Sequence, residues 1–576
     1  MTGNRGVSII FPEGSFEKCR ELSDVAVHDL GLDEICRNLS DKPKEQGLFL
    51  DIMRRISDNP DVIRFRLDVF EDILKNPDFR YRMLEILDKI DFLKDYGSFR
   101  RDHEESSGTW DLVHRLEELR DYVSYVEALR DCLGGADLKS GGLGELKAYI
   151  DGIYRDNGFK ELKQDISELK ANTSNLKSVT VGINLNERFE AKEIGLISIN
   201  SKAFTGSTIL RNFGNLMVKK DSINESTEWD GSSRFQQFST TDGTDDSKIM
   251  GLAKTKMMID NPLLMMSMAR VSDGDMARDV TSHMDRNSDH MLGRTVKKLK
   301  DVLHKYVGLS ILNITSLIPE FLYYVRWAEY VKRHMDSGFS FCKAFVLDKG
   351  GARMKARGFY NLKLADSVAD GSSAIVTNDL DFENGQDVFI LTGANRGGKT
   401  TVTQAVGIMY VLAQGGIFVP ASEFAFAPVD CIYTHFPADE DKTMDLGRLG
   451  EECKRFREMF SECTKDSLML LNETFSTTSF EEGFYIARDA VKAVLTKGTR
   501  CIYNTHMHKL ASVVDELNNE VDSEGSPYRA ASLIAVSDGR QRSFKVKVAP
   551  PQGMSYARDI AEKYGVTYEM LVDKEK

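Results

Sequence analysis

From residue 15 to about residue 135, apolar side chains recur at helical spacing in one segment after another. In "DNPDVIRFRLDVFEDILKN" a turn is followed by Val62, Ile63, Phe65, Leu67, Val69, Phe70 and Ile73 at mixed helical intervals. The stretch "GGLGEL" at 141–146 reads as punctuation. From 143 to about 177 the pattern is long, charged and helical. "SVTVGINL" and "GLISINSKAF" then read as two strands. Residues 206–247 are rich in Gly, Ser, Thr, Asp and Asn and read as a loop. A helical pattern resumes near 275 and runs to about 337. Around 345 the texture changes, and short apolar runs alternate with helical stretches to the end. That alternation implies βαβ units and a mostly parallel sheet. Two architectures therefore share the chain: an all-α arm with a small strand excursion, and a C-terminal α/β domain.

Composition narrows the class. The 576 residues are enough for three or four domains. A hydrophobic share of 41% and a charged share of 29% fit a folded, soluble, helix-rich protein. The net charge of −13 argues against a protein that is basic all over, but leaves room for local basic patches. The eight cysteines include no CxxC pair, so neither a zinc site nor a disulfide framework is indicated, and a reducing cytosol is expected. The most apolar segment, "GLSILNITSLIPEFLYYV", contains Asn313, Pro319 and Glu320 and reads as a core helix, so no membrane association is expected. The N-terminus "MTGNRGVSIIFPEG" lacks the pattern of a signal peptide, and a cytoplasmic location is expected.

The candidate chemistry lies in the α/β domain. "VFILTGANRGGKTTVTQAVGIMYVLAQGG" contains G-x-x-x-x-G-K-[ST] from Gly393 to Thr400. An apolar run, Val388 to Leu391, precedes it, and a helical pattern with Val402, Val406, Met409 and Leu412 follows. This is the strand, loop and helix that a phosphate loop requires. Gly393, Gly397 and Gly398 let backbone N–H groups approach phosphate, and the helix N-terminus adds a favourable dipole. Lys399 would reach the β- and γ-phosphates, and the Thr400 hydroxyl would ligate magnesium. The alternative is a glycine-rich turn with an incidental lysine. Downstream, Leu468 to Leu471 run directly into Asn472 and Glu473. Many ATP-hydrolysing proteins end such a strand with Asp for the magnesium and Glu for the water. In "TRCIYNTHMHKL" another buried run, Cys501 to Tyr503, leads to Thr505 and His506. A histidine at the end of a core strand can sense the γ-phosphate, although most isolated histidines do nothing of the kind.

Together these segments resemble the ATPase domain of the MutS family of DNA mismatch repair proteins, a branch of the ABC-type ATPases. The family's phosphate loop reads close to TGPNMGGKST; here it is "TGANRGGKTT". "AIVTNDL" matches a family strand near the adenine, with Ile375 and Asn378 in the corresponding places. "GGIFVPASEFAFAPVDCIYTHFPADED" parallels the family's VPA turn and acidic loop. "NETFSTTSFEEG" aligns without gaps to DEIGRGTSTYDG, and "NTHMHKL" matches ATH-x-x-x-L. "PPQGMSYARDIAEKYGVTYEML" matches the closing SYG segment. The likeness is specific over roughly residues 370–576 and extends more faintly into the helical arm.

The resemblance implies a multidomain fold: an all-α lever domain with a small clamp excursion, then a C-terminal α/β P-loop ATPase domain of the ABC type. It places the first part of the lever at 1–142, the clamp at 143–285, the returning lever helices at 286–345 and the ATPase at 346–576. It implies a short form that starts at the lever, without the mismatch-reading and connector domains. ATP and Mg2+ are the implied cofactors. Gly393, Ala394, Asn395, Arg396, Gly397, Gly398, Lys399, Thr400 and Thr401 would hold the nucleotide, with Ile375 and Asn378. Thr400 and Asn472 would face the metal, and Glu473 and His506 would be catalytic. Ser479 would touch the partner's nucleotide across a homodimer, with a helix N-cap as the alternative role. The implied partner is duplex or branched DNA. Basic candidates for its contact are Lys219 and Lys220, then Arg294, Lys297, Lys298 and Lys300.

Three departures bear on activity. Asn472 keeps an acceptor oxygen but loses the charge of the family's Asp, which lowers the expected magnesium affinity and slows turnover. Phe475, Ser476 and Thr477 replace Gly-Arg-Gly, which removes backbone freedom before the signature serine. Arg396 in place of Met adds a positive charge beside the phosphates. The sequence thus favours ATP-dependent clamping on DNA, in mismatch repair or related processing. Its rivals are a nucleotide-gated scaffold with little hydrolysis and an ABC-type ATPase acting on a protein or ribosomal partner.

Overall fold

The computed structural model describes residues 7–12, 19–98, 109–173, 178–185, 187, 191–200, 268–270, 317–349, 353–368, 375–383, 385–394, 397–437, 447–538, 541–551, 564–567 and 570–571. The chain combines helical regions with α/β sheet structure in two compact units. One comprises Met1–Leu87, Asp131–Tyr149 and Asn313–Lys576, and the other Asp88–Arg130 and Ile150–Leu312. Packing therefore groups the first helices with the α/β region.

The larger unit is built on a six-stranded sheet. We label its strands and two of its helices in chain order: β1 (Val388–Thr392), α1 (Lys399–Gln414), β2 (Ile432–His435), β3 (Leu468–Asn472), α2 (Phe480–Lys497), β4 (Arg500–Asn504), β5 (Ala530–Asp538) and β6 (Gln541–Val548). The spatial order is β2-β3-β4-β1-β5-β6. All neighbours run parallel except β5 and β6. Every residue of β1, β3 and β4 is buried, as expected for parallel strands covered on both faces. Val388, Ile390, Met469, Leu471, Cys501 and Tyr503 share one core with Phe484, Ala487, Val491 and Val494 of α2. α1 packs on β3 and β4.

A second, four-stranded sheet contains Phe345–Val346, Glu423–Phe426, Met354–Phe359 and Asn378–Phe382, in that order. The N-terminal helices close the unit. Asp24–Leu30 packs on β2 and α1, and Ile318–Asp336 packs on Pro60–Lys75 and Pro43–Arg54. Buried Arg66 fixes this arrangement by donating to the carbonyls of Ile10 (3.0 Å) and Gln414 (2.9 Å).

The smaller unit holds parts of the helices Pro77–Ser98, Thr109–Gly134 and Gly141–Arg155, with all of Asn157–Thr173. It also holds an antiparallel sheet of Ser178–Leu185, Ala191–Asn200 and Met268–Arg270, where the sequence predicts its first two strands. Tyr122 meets Phe159 edge-on, and Arg130 lies over Tyr154 while bonding Asp151 at 3.1 Å.

One sequence expectation is corrected. "GGLGEL" does not interrupt the chain; Gly141 opens a helix running to Arg155. A Cβ at Gly142 would come within 2.6 Å of Val69 and 2.7 Å of Phe65, so close packing demands a glycine here. The helical pattern expected from 275 is observed for Ile318–Asp336, and the part before residue 317 lies outside the described residues.

Leu470 sits fully buried in β3, where a Cβ at Gly407 of α1 would lie 2.7 Å from its Cδ1. Leu470→Ala should cost about 3 kcal/mol of stability through lost burial and a residual cavity. Denaturant unfolding checks this; a loss below about 1 kcal/mol would contradict the packing of α1 on β3.

Candidate functional site

The loop after β1 turns sharply into α1. Gly393 takes φ +142° and Gly398 takes φ +86° as the residue capping the helix start, conformations that side chains resist. Lys399 opens the 16-residue helix and is almost wholly buried. Its Nζ donates to the carbonyls of Gly393 (3.1 Å) and Ala394 (3.2 Å). Burial pushes its ammonium below the usual lysine range, and the Glu473 carboxylate opposes that shift. Asn395 and Arg396 lie outside the described residues.

Register delivers the remaining groups. β3 and β4 pair so that Asn472 lies opposite Asn504, and β4 pairs with β1 so that Asn504 lies opposite Leu391. Three strand ends thus meet beside the start of α1. The Thr400 hydroxyl donates to Asn472 Oδ1 at 3.2 Å. The Asn504 amide donates to Thr400 Oγ1 at 3.2 Å and also to Asn472 Oδ1. Glu473 follows with φ +52°, held by its N–H bond to the Asn504 carbonyl at 2.9 Å. Its Oε1 lies 2.9 Å from His506 Nε2, and its Oε2 accepts from the His506 N–H at 3.3 Å. The structure therefore brings together Lys399, Thr400, Asn472, Glu473 and His506.

Lys399, Thr400, Glu473 and His506 border a cavity of about 720 Å³, within the range of small-molecule sites, and Asn472 lies just behind Thr400. Gly397 to Thr401, Glu473 and His506 line it together with the apolar Leu364, Val368, Ile375, Val376 and Phe544. The chemistry suits a nucleotide triphosphate: backbone N–H groups and an ammonium for phosphate, and an apolar wall for a base. Thr400 and Asn472 offer oxygen donors, which suit a hard cation whose coordination is completed by phosphate and water. Among the described residues no group of three His, Cys, Asp or Glu could hold a metal alone.

Asn378 has a supporting position. Its amide donates to the Phe544 carbonyl at 3.1 Å and accepts from the Val546 N–H at 2.8 Å, clamping β6 beside the cavity. Phe544, with φ +55°, is thereby held in the lining. Sequence reading missed Phe544 and Asn504. The signal for Asn504 is its departure from the first letter of ATH; Phe544 is marked only as an aromatic in the polar run "RQRSFKVK".

The segment after Glu473 forms its turn without glycine. Phe475, at the position of the family's first glycine, adopts φ +63° despite its side chain. Its ring is 1% exposed and packs edge-on against Phe456 at 5.3 Å, near His435 at 6.4 Å. A left-handed residue costs about 1–2 kcal/mol, and burying a phenylalanine contributes about 2–3 kcal/mol, so packing retains the turn without glycine. Ser479 caps α2, accepting from the Glu482 N–H and donating to its carboxylate at 2.9 Å. Hydrogen bonds from Thr478 and Ser479 hold the Glu482 carboxyl below the usual range. Lys219, Lys220, Arg294, Lys297, Lys298 and Lys300 lie outside the described residues.

Residues 389–566 match the sequence pattern of MutS domain V, and residues 58–212 match that of the MutS2 N-terminal domain. Similar proteins include the DNA mismatch repair protein MutS of Chlorobium chlorochromatii, 29% identical over 206 residues, or 34% of this chain and 24% of the relative. The DNA mismatch repair protein Msh2 of Dictyostelium discoideum is 33% identical over 181 residues, 30% of this chain and 19% of the relative. Endonuclease MutS2 of Thermus thermophilus is 27% identical over 196 residues, 34% of this chain and 25% of the relative. The chain thus spans a quarter or less of these relatives' own length.

His435, at the end of β2, contacts the turn that follows Glu473. Its Nδ1 lies 3.1 Å from Thr474 Oγ1, and burial, aided by the charge of Arg455, lowers its pKa from 6.5 to about 4. Folding keeps it neutral, so below pH 6.5 the unfolded chain takes up a proton that the folded chain refuses. Stability should fall by up to about 3 kcal/mol as pH drops through that window toward the folded pKa. Urea unfolding across that range should show a shallower fall for His435→Gln; an unchanged slope would remove His435 as the source.

Proposed function

We propose, because the chain belongs to the MutS family, that it binds ATP in the cavity around Lys399 and couples that binding to engagement of DNA. The family's members are ATPases that bind DNA and act as dimers. The observation that carries the reading is the convergence of Lys399, Thr400, Glu473 and His506 on one cavity at the ends of β1, β3 and β4.

In this reading Lys399 and the N-terminus of α1 hold the phosphates, while Ile375 and Phe544 flank the base. Glu473 polarises the attacking water. His506, already bonded to Glu473 at 2.9 Å, reports the γ-phosphate to it. A bound magnesium would neutralise phosphate charge, held through Thr400 and Asn472. Because Asn472 brings no charge, turnover is slow. Ser479 reaches a second copy of the chain across a homodimer, at the exposed start of α2. The lever at 1–142 and 286–345 and the clamp at 143–285, with the basic residues Lys219, Lys220, Arg294, Lys297 and Lys298, contact duplex or branched DNA. The process served is mismatch repair or related DNA-structure processing in the cytoplasm. A second reading is favoured by Asn472 and the packed Phe475: ATP binding gates a scaffold and hydrolysis is nearly absent.

Lys399→Ala should weaken ATP binding by about a hundredfold, about 2.7 kcal/mol, because it removes the buried cation of the loop. Calorimetric titration checks this, and unchanged affinity would refute the phosphate-loop assignment. Glu473→Gln should bind ATP within about threefold of the parent but lose about a hundredfold in turnover. Hydrolysis at the parent rate would exclude Glu473 as the group that activates water.

A further inference from the structure

Asn504 is fully buried and sits in register beside Asn472. Its amide nitrogen serves two acceptors, Thr400 Oγ1 at 3.2 Å and Asn472 Oδ1. These are the two oxygens that the site offers to a cation. Among the described residues its own Oδ1 has no hydrogen-bond partner. An unmet buried acceptor is unfavourable. The side chain is therefore held by what its nitrogen does. That nitrogen competes for lone pairs a cation would use. With a carboxylate at 472, charge would win that competition; with Asn472, the Thr400 hydroxyl and the Asn504 amide N–H share the neutral Asn472 Oδ1. Among the described residues, the positive charge at this end of the site then comes from Lys399 and the N-terminus of α1.

We propose that Asn504 is a positioning residue that keeps the metal end of the cavity in an uncharged, amide-paired form, so that nucleotide binding depends little on divalent cation. This rests on the nucleotide-site reading above. Asn504 acts through Thr400 and Asn472 rather than by touching phosphate. Removing its amide frees both oxygens for the cation, and a carboxylate at 472 outcompetes it.

The test is titration of the full chain with fluorescent mant-ATP, once with magnesium and once with EDTA. For the parent the two affinities should differ by less than about threefold. For Asn504→Ala, and for the nearly isosteric Asn504→Leu, magnesium should strengthen binding by about tenfold, and Asn472→Asp should do the same. Melting curves identify folded variants, and a merely structural role for Asn504 would leave the magnesium-to-EDTA ratio unchanged. The inference is overturned if the parent already loses tenfold or more in EDTA, or if the folded Asn504 variants keep the parent ratio. Absence of mant-ATP binding by the parent in both buffers would overturn the nucleotide-site reading itself; binding with an unmoved ratio overturns only the role of Asn504.

Discussion

Parallel strands that end at the same level are the constraint on which the site depends. β1, β3 and β4 are buried along their whole length, and their pairing fixes Leu391, Asn472 and Asn504 side by side. Parallel neighbours require crossovers, and α1 and α2 both follow strands of this sheet. Ligands of open α/β sheets bind at the carboxyl ends of strands for this reason. Groups far apart in the chain, Lys399, Glu473 and His506, therefore meet around one cavity.

The same sheet lets the chain tolerate strain at that edge. Glu473 and Phe475 both have positive φ, at 52° and 63°, in a turn where the resembling family places a glycine. The Phe475 ring, packed among Phe456 and His435, offsets that strain. Tyr503 adds a hydrogen bond to the Thr474 carbonyl at 2.6 Å. A turn fixed by an aromatic core has less freedom than one fixed by glycine.

The parts legible in sequence were those whose physics is local. The run from Val388 to Leu391, the glycines and the following helix lie within one continuous segment, and their order alone predicts the strand, loop and helix that the structure contains. The strand into Asn472 and Glu473 was legible because an uninterrupted apolar run ending in polar groups marks a buried strand. What escaped depends on partners distant in the chain. Asn504 matters only because register places it beside Asn472. Asn378 lines the cavity where the sequence reading puts a nucleotide neighbour, but that its amide also clamps β6 and thereby places Phe544 is not visible in the sequence. Gly141 and Gly142 read as a break because sequence cannot display Val69 and Phe65 pressing against the helix start. The packing of Asp24–Leu30 on β2 was equally invisible, since helical periodicity identifies a buried face and not what covers it.

The central claim is that nucleotide occupancy at this strand edge is coupled to DNA. Equilibrium binding of labelled duplex and branched DNA across a salt series, with and without ATP, tests it most directly. The account predicts affinity that falls steeply with salt, as counterion release at phosphate contacts requires, and a shift in affinity when ATP is added. DNA binding that is undetectable at low salt, or that is identical with and without ATP at every salt concentration, would contradict it.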